Sequence, residues 1–220
     1  MIKIILLTSL LIANFSVFSQ ILPSYQSTHI KKSSGGSSSF SVDPSTKGNE
    51  IVLSNNNKTV GSTKSSSGNS CNWEGVYLLP TMSLGTGTHS VEFTVDAYSN
   101  QAGNIYDMTI GVTINNDKGQ TYPFYNASKS LRNFGYIAEN GMKYGSLCSP
   151  GNDFHISYGA TYGQDDRVKV EFNTDNKTLI FYKNDASQGV AYSGGSCFAN
   201  VTFHFSVGIC NENFAVSITG

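Results

Sequence analysis

The sequence of 220 residues predicts an all-β protein, an antiparallel β-sandwich of two sheets. Three observations favour this fold class. Segments of alternating apolar and polar residues recur along the chain, about ten to twelve in all, and each has the length of a strand. Clusters of Gly, Asn, Asp, Ser and Pro separate them at intervals of about eight to twelve residues. No segment places apolar residues at helical spacing over three turns.

The chain begins with the pattern of a secretory signal peptide. A short basic start at Lys3 precedes the mostly apolar residues 4–18, and Ser19 offers a small residue at the cut. The apolar run contains four polar residues and is shorter than the roughly 20 residues that a membrane-spanning helix needs. We therefore expect residues 1–19 to be removed, with no membrane span left after cleavage. The protein would be extracellular or in the secretory-pathway lumen.

A linker and three early strand regions follow. Residues 20–39 are rich in Ser and Gly and predict a flexible linker, so the domain is expected to span residues 40–220. Two short strands flank the tight turn Asn55–Asn57. Residues 88–97 alternate most cleanly, and residues 107–114 repeat the pattern with Met, Ile, Val and Ile facing inward.

The second half of the chain predicts further hairpins. Asn140-Gly141 is the strongest short hairpin signal, between strands at 134–138 and 142–147. One more short strand is expected at 154–158. Residues 201–209 and 214–218 are the last two predicted strands, and the final one alternates Phe, Val and Ile inward.

The most informative stretch is residues 167–192. Val168, Val170 and Phe172 alternate with charged residues, which predicts a strand with one apolar face. A polar turn follows, and then residues 178–182 are apolar on both faces, which predicts a strand buried on both sides. After a loop, residues 189–192 read Gly-Val-Ala-Tyr.

This stretch resembles the signature of the SPRY (B30.2-type) domain family, whose members carry a "Leu-x-Phe-x-Asn-Gly" strand followed by "Gly-x-Ala-Phe". Other motifs match in order: "Asp-Pro … Leu-Ser" from Asp43, "Gly-x-His-x-x-Glu" from Gly87, "x-x-Ile-Gly-Val" from Met108, and "x-Gly-Tyr … Asn-Gly-x-Lys" from Phe134. The resemblance covers residues 40–218. The family's tryptophans are replaced here by Phe93, Met108 and Phe134.

The resemblance implies a bent, concanavalin-A-like jelly roll with binding loops gathered on one face. In the family that face grips short peptide segments of partner proteins and shares no catalytic residues. One peptide-binding subgroup uses an Arg-Pro pair and a Trp. The corresponding residues 60–66 and 207–211 lack them, so that peptide specificity is not expected here.

Cysteines and sequons fit an exported chain. Four cysteines predict two disulfides: Cys71, Cys148, Cys197 and Cys210. The strand expected at 201–209 would span roughly 30 Å, which disfavours a bond between Cys197 and Cys210 and leaves two pairings open. Four Asn-x-Ser/Thr sequons are N-glycosylation candidates: Asn57, Asn126, Asn176 and Asn200.

Composition and spacing disfavour several function classes. The net charge of −1 gives no electrostatic reason to expect nucleic acid as a partner. There is no Cys-x-x-Cys motif, and no His lies near a Cys at ligand spacing, so no metal or other cofactor is expected. His89 is predicted to face inward and His204 outward. The adjacent carboxylates Asp165 and Asp166 are expected to form a turn, so no catalytic set is predicted.

Aromatic residues near predicted loops and hairpins are the candidate binding residues, because Tyr and Phe give rigid contact area for peptides or sugars. They are Tyr122, Phe124, Tyr125, Tyr136 and Tyr144. The alternative is that they plug the ends of the sandwich. The sequence therefore predicts a secreted, non-enzymatic module that binds a protein or peptide partner. The alternative function is lectin-like sugar binding, although no clustered Asp/Asn set has calcium-site spacing.

Overall fold

The computed structural model describes residues 39–63, 74–98, 108–114, 124, 133–145, 155–194, 198, 202–210 and 213–220. Fourteen strands lie in these ranges, with one 3-10 helix at Pro44–Thr46. The strands are β1 Ser41–Val42, β2 Ile51–Ser54, β3 Thr59–Ser62, β4 Glu74–Leu79, β5 Thr88–Ala97, β6 Met108–Ile114, β7 Asn133–Ile137, β8 Met142–Gly145, β9 Ile156–Ser157, β10 Arg167–Asn173, β11 Thr178–Lys183, β12 Ala186–Ser193, β13 Phe203–Ile209 and β14 Ala215–Ile218. Within these residues no helix is long and apolar enough to cross a membrane.

The strands form two antiparallel sheets of seven strands each, which confirms the predicted two-sheet sandwich. Sheet A has the order β1-β4-β13-β6-β7-β8-β9, and sheet B has the order β12-β11-β10-β5-β14-β3-β2. Neighbours in a sheet are often far apart in sequence. Strand β13, for example, lies between β4 and β6. The predicted signal peptide and nearly all of the linker lie outside the described residues.

The core lies between the two sheets and is built from the alternating residues that the sequence indicated. Strand β5 buries Val91, Phe93 and Val95 while its other residues stay at least partly exposed. Strands β10 and β14 have the same alternation. Met108 and Phe134 are also fully buried, so all three residues at the family's tryptophan positions fill the core.

Asn and Asp residues determine the hairpin turns. Asn55–Asn57 all have positive φ and connect β2 to β3, as predicted. The structure differs after β11, where Asn184 and Asp185, with φ of 48° and 67°, form a two-residue turn. Strand β12 therefore begins at Ala186 and not near residue 189. Both residue types tolerate left-handed backbone, which suits the mirror-image turns of tight hairpins.

One burial prediction is wrong, and a second is correct in direction although the residue is buried. Strand β11 buries only one face: Leu179 and Phe181 point to the core, while Ile180 and Tyr182 remain half-buried. His204 does point away from the core, but it is only 3% exposed. Its Nδ1 lies 2.9 Å from the carbonyl oxygen of Leu78. The outer face of sheet A is buried along β13, so a period of two in the sequence could not reveal which face meets solvent.

Candidate functional site

An open pocket of about 230 Å³ lies at one end of the sandwich. Strands β5 and β11 end there and β10 begins there, because β10 runs antiparallel to both. The β7–β8 turn of sheet A closes the other side. The lining residues are Tyr98, Ala138, Glu139, Thr161, Tyr162, Gly163, Asp166 and Lys183.

Residues 158–163, here called the crossing segment, form one wall of the pocket and join the two sheets. On the side of sheet A, the amide of Tyr162 donates to the carbonyl of Ala138 at 3.0 Å, and the amide of Gly159 donates to Gly141 at 2.8 Å. On the side of sheet B, the amide of Ala160 donates to the side-chain oxygen of Gln188 at 2.9 Å. The segment is therefore fixed to both sheets by hydrogen bonds.

Gly141 makes this close approach possible. It has φ of +65°, and a Cβ at this position would lie 2.1 Å from the carbonyl oxygen of Gly159. Only glycine meets both conditions without strain. The Asn140-Gly141 motif thus forms the predicted hairpin turn and also makes room for the crossing segment.

A tyrosine cluster anchors the crossing segment from within. The ring of Tyr136 lies 4.9 Å from that of Tyr162 and 5.5 Å from that of Tyr158, between ring centroids. The hydroxyl of Tyr162 donates to the carbonyl of Tyr136 at 2.8 Å, and that of Tyr136 donates to Ala160. The hydroxyl of Tyr158 donates to the carbonyl of Gly189 on β12 at 2.6 Å. Burial raises the pKa of Tyr158 to about 12 and also raises the pKa of the other two.

Among the charged residues of the pocket, Asp166 has the most hydrogen-bond and ion-pair partners. Its carboxylate accepts from the amide of Gly163 at 2.9 Å and from the side-chain amide of Asn184 at 2.7 Å. Lys183 Nζ lies 3.2 Å from the same carboxylate and donates to the carbonyl of Thr161 at 2.8 Å. Burial alone would raise the pKa of Asp166, but these hydrogen bonds outweigh it and lower the pKa below its usual value. The predicted turn at Asp165 and Asp166 is confirmed, since Asp165 has φ of 68°.

Glu139, in the β7–β8 turn, differs from Asp166 because one of its carboxylate oxygens has no such partners in the described part of the chain. Its Oε2 atom is buried and has no hydrogen-bond donor among the residues that the structure describes. Burial raises the pKa of Glu139 above its ordinary value. The pocket thus contains one carboxylate with several partners and another with a buried, unsatisfied oxygen.

The sequence-predicted aromatic residues are dispersed. Phe124 is 3% exposed and lies against the position of Gly135, and Tyr136 is fully buried. Both are interior residues in this structure, in line with the alternative that such aromatics fill the sandwich. Tyr144 is half-buried, with its ring 5.5 Å from that of His155. Tyr122 and Tyr125 lie outside the described residues.

The predicted modification sites are only partly described. Asn57 and Asn176 are exposed in the β2–β3 and β10–β11 turns, where a glycan would not meet the core. Asn126 and Asn200 lie outside the described residues, as do Cys71, Cys148 and Cys197. Cys210 is fully buried and is not a free thiol.

The described part of the chain contains no group of three His, Cys, Asp or Glu residues that could hold a metal ion. One hydroxyl–imidazole pair is present, with Thr86 Oγ1 and His89 Nε2 2.7 Å apart. The same hydroxyl donates to the carbonyl of Ser83 at 2.7 Å. A carbonyl can only accept, so the imidazole must be the donor in the other contact and does not activate the hydroxyl as a nucleophile.

Most of the residues that build the pocket were not singled out in the sequence. Tyr98, Glu139, Thr161 and Lys183 come from four separate segments that converge only in the folded chain. The one signal in the sequence was the position of Glu139, a carboxylate directly before the Asn-Gly turn. Nothing in its spacing shows that one oxygen is left without a donor.

Comparison with known proteins supports the fold. No family model matches the sequence, and no curated protein matches it either. Solved structures do match. The SPRY domain of human HERC1 is 14% identical with a TM-score of 0.57, covering 80% of this chain and 96% of that domain. The TRIM65 PSpry domain is 14% identical with a TM-score of 0.55, covering 82% of this chain and 92% of that one.

A third structure, of a human SPRY domain, is 13% identical with a TM-score of 0.52, covering 77% of this chain and 94% of that one. Likeness at this level of identity establishes the fold. The chain therefore has the two-sheet β-sandwich of SPRY domains, as its motifs predicted.

Proposed function

We propose that this protein is a non-enzymatic binding module that recognises a protein or peptide partner at the pocket end of its sandwich. The observation that carries the proposal is the pocket itself, framed by rigid strands and the crossing segment on a SPRY-type fold. Sites on rigid elements bind without a large ordering cost. The motif resemblance adds that the family's loops grip short peptide segments. Tyr122 and Tyr125 stay in the proposal as predicted contacts on a loop.

Several observations favour binding over catalysis. The hydroxyl of Thr86 is bonded to a carbonyl, and the carboxylate of Asp166 is already occupied by three donors. Neither group has the poised nucleophile or base geometry that hydrolysis requires.

The test is selection of peptides from a random display library on the full chain, followed by measurement of affinity by fluorescence polarisation. Replacing the exposed pocket residue Thr161 with Trp should fill the pocket and weaken the selected peptides by about tenfold or more. Gln164→Trp is the matched control, because Gln164 is exposed nearby but does not line the pocket. Equal affinity in Thr161→Trp would contradict the proposal. Binding that simple sugars displace would instead favour the lectin-like function.

Export is a second part of the proposal, supported by the first 19 residues and by exposed sequons at Asn57 and Asn176. The intact mass of protein secreted by a eukaryotic host tests it, with and without glycosidase and reductant. We expect a chain that starts at Gln20, loses mass with glycosidase and gains about four hydrogens on reduction, as two disulfides require. An uncleaved, unglycosylated and fully reduced chain would contradict export.

A further inference from the structure

We infer that the pocket takes a positively charged side chain of the partner, an arginine by preference, with Glu139 as the anion that receives it. The inference rests on the proposed function and names the residue type that the pocket would recognise.

The charges of the pocket lining favour a cationic ligand. Three charged residues line the pocket, and two of them, Asp166 and Lys183, pair with each other at 3.2 Å. Asn184 and Gly163 occupy further acceptor positions of Asp166, and Thr161 occupies a second donor position of Lys183. Glu139 remains as the charge that no cation of the lining neutralises. The lining as a whole therefore carries a net charge of −1, which favours a cationic ligand over an anionic one.

Within the described structure, Glu139 also lacks a hydrogen-bond donor that a ligand could provide. A buried carboxylate oxygen without a donor loses its hydration and receives nothing in return. Oε2 of Glu139 is such an atom. The desolvation that raises the pKa of Glu139 has no opposing contribution from a nearby cation. Because solvent does not reach Oε2 in this conformation, the Glu139 side chain would have to rotate for a ligand to bring N–H donors to it, and the ligand would then supply what the folded chain alone does not.

The size and the lining of the pocket favour arginine in particular. A volume of about 230 Å³ is below the ~300–1,000 Å³ of pockets that enclose whole small ligands, so it suits one long side chain. Two tyrosines line the pocket, and Tyr98 is the accessible one, because it is only partly buried while Tyr162 is 3% exposed. A guanidinium group stacks on such rings and donates from a planar fork that matches a carboxylate, which favours arginine over lysine.

The test uses the full chain and two small probes, Nα-acetyl-arginine amide and its neutral isostere Nα-acetyl-citrulline amide. Titrations are followed by the backbone amide signals of Glu139, Thr161 and Gly163 in NMR spectra. We expect saturable shifts at these amides with the arginine probe and at least about tenfold weaker binding of citrulline. Glu139→Gln should weaken the arginine probe about tenfold. Glu171→Gln should not, because Glu171 lies on the outer face of sheet B and contacts Tyr182.

A pH series provides a second measurement that needs no variant. The ionisable groups facing Glu139 are Asp166, Lys183, Tyr98 and Tyr162. Hydrogen bonds lower the pKa of Asp166 and burial raises the pKa of Tyr162, so neither explains a loss of affinity just above the ordinary glutamate pKa. Affinity for the arginine probe should therefore fall with acidification at a pH above the ordinary glutamate pKa, as Glu139 takes up its proton.

Equal binding of arginine and citrulline, shifts at other amides, or a Glu139→Gln variant with unchanged affinity would overturn the inference. If Glu139→Gln does not fold, the pH series decides. The arginine inference and the proposed function can fail separately. Selected peptides that lack a basic residue, and whose binding is weakened by Thr161→Trp but not by Glu139→Gln, would overturn the arginine inference and leave peptide binding intact.

Discussion

Glu139 and Asp166 line the same pocket, yet their carboxylates meet opposite conditions. Asp166 accepts hydrogen bonds from a backbone amide, an asparagine and a lysine, whereas Glu139 has a buried oxygen with none. Unsatisfied buried groups reduce stability and persist mainly where they serve a function. We therefore expect the Glu139 carboxylate to reduce the stability of the protein while it contributes to binding.

Replacing Glu139 with Gln should therefore stabilise the protein at neutral pH. The raised pKa means that the unfolded chain ionises first, so Glu139 reduces stability increasingly as pH rises above the pKa of the unfolded chain. Because the side chain is partly exposed, we expect a gain of less than about 1 kcal/mol in the free energy of unfolding. Urea denaturation at pH 4 and pH 7 measures it, with Glu171→Gln as the control. A loss of stability at pH 7 would contradict this account.

The sequence predicted Asp166 as part of a turn and placed Glu139 directly before the Asn-Gly turn, but neither position reveals that Glu139 lacks a donor in the described structure. Turn chemistry is local and follows from Asp and Asn at neighbouring positions. A missing donor depends on what the rest of the chain brings to the site. The same limit explains Tyr136, a candidate binding residue in the sequence, whose ring lies in the core.

At the scale of strands, glycines mark places where backbones approach closely. Gly111 on β6 pairs with Gly135 on β7. A Cβ on Gly111 would lie 2.0 Å from the carbonyl oxygen of Phe134, and backbone cannot move aside as a flexible side chain can. By contrast, a Cβ on Gly61 of β3 would meet its nearest atom at 3.7 Å.

We therefore expect Gly111→Ala to reduce the free energy of unfolding by about 3 kcal/mol or more, since it forces two central strands apart. Gly61→Ala, also in a strand, should change it by less than about 1 kcal/mol. Chemical denaturation of the two variants side by side measures the difference. Equal stability would show that β6 and β7 can separate at little cost.

Strand positions were the most predictable elements, and connections were less so. The alternation of apolar and polar residues predicted β5, β10 and β14, because each strand buries one face and leaves the other at least partly exposed to solvent. The start of β12 was misplaced because Asn184 and Asp185 resemble an ordinary loop unless a mirror-image two-residue turn is considered.

At the scale of the whole molecule, the tyrosine cluster connects the two sheets. Tyr136 belongs to β7 of sheet A, Phe181 belongs to β11 of sheet B, and their rings lie 5.3 Å apart. Tyr158 and Tyr162 of the crossing segment complete the cluster. The sequence predicted both sheets but not this connection, because pairings between distant segments leave no local pattern.

The cluster predicts sensitivity to alkaline pH. A tyrosine whose pKa is raised on folding contributes stability that is present below the unfolded value, about 10, and is lost as pH rises. For Tyr158 the loss of unfolding free energy should extend to about pH 12. It should be less than about 1.4 kcal/mol per pH unit, because the ring is partly exposed. Tyr158→Phe should lower stability at pH 8 and flatten its decline between pH 9 and 11. The control is Tyr144→Phe, outside the cluster. If the urea midpoints of wild type and Tyr158→Phe declined equally with pH across that range, the prediction would be contradicted.

Two of the contacts that hold this end of the molecule together also cover the last strand of sheet B. The carbonyls of Gly189 and Ala191 on β12 accept hydrogen bonds from the hydroxyl of Tyr158 and from Lys143 Nζ. Between them Val190 is 54% exposed. An open, apolar edge strand is a template for intermolecular pairing and fibril growth. With two of its carbonyls occupied and a lysine beside it, this edge offers fewer free acceptors to a strand of another molecule.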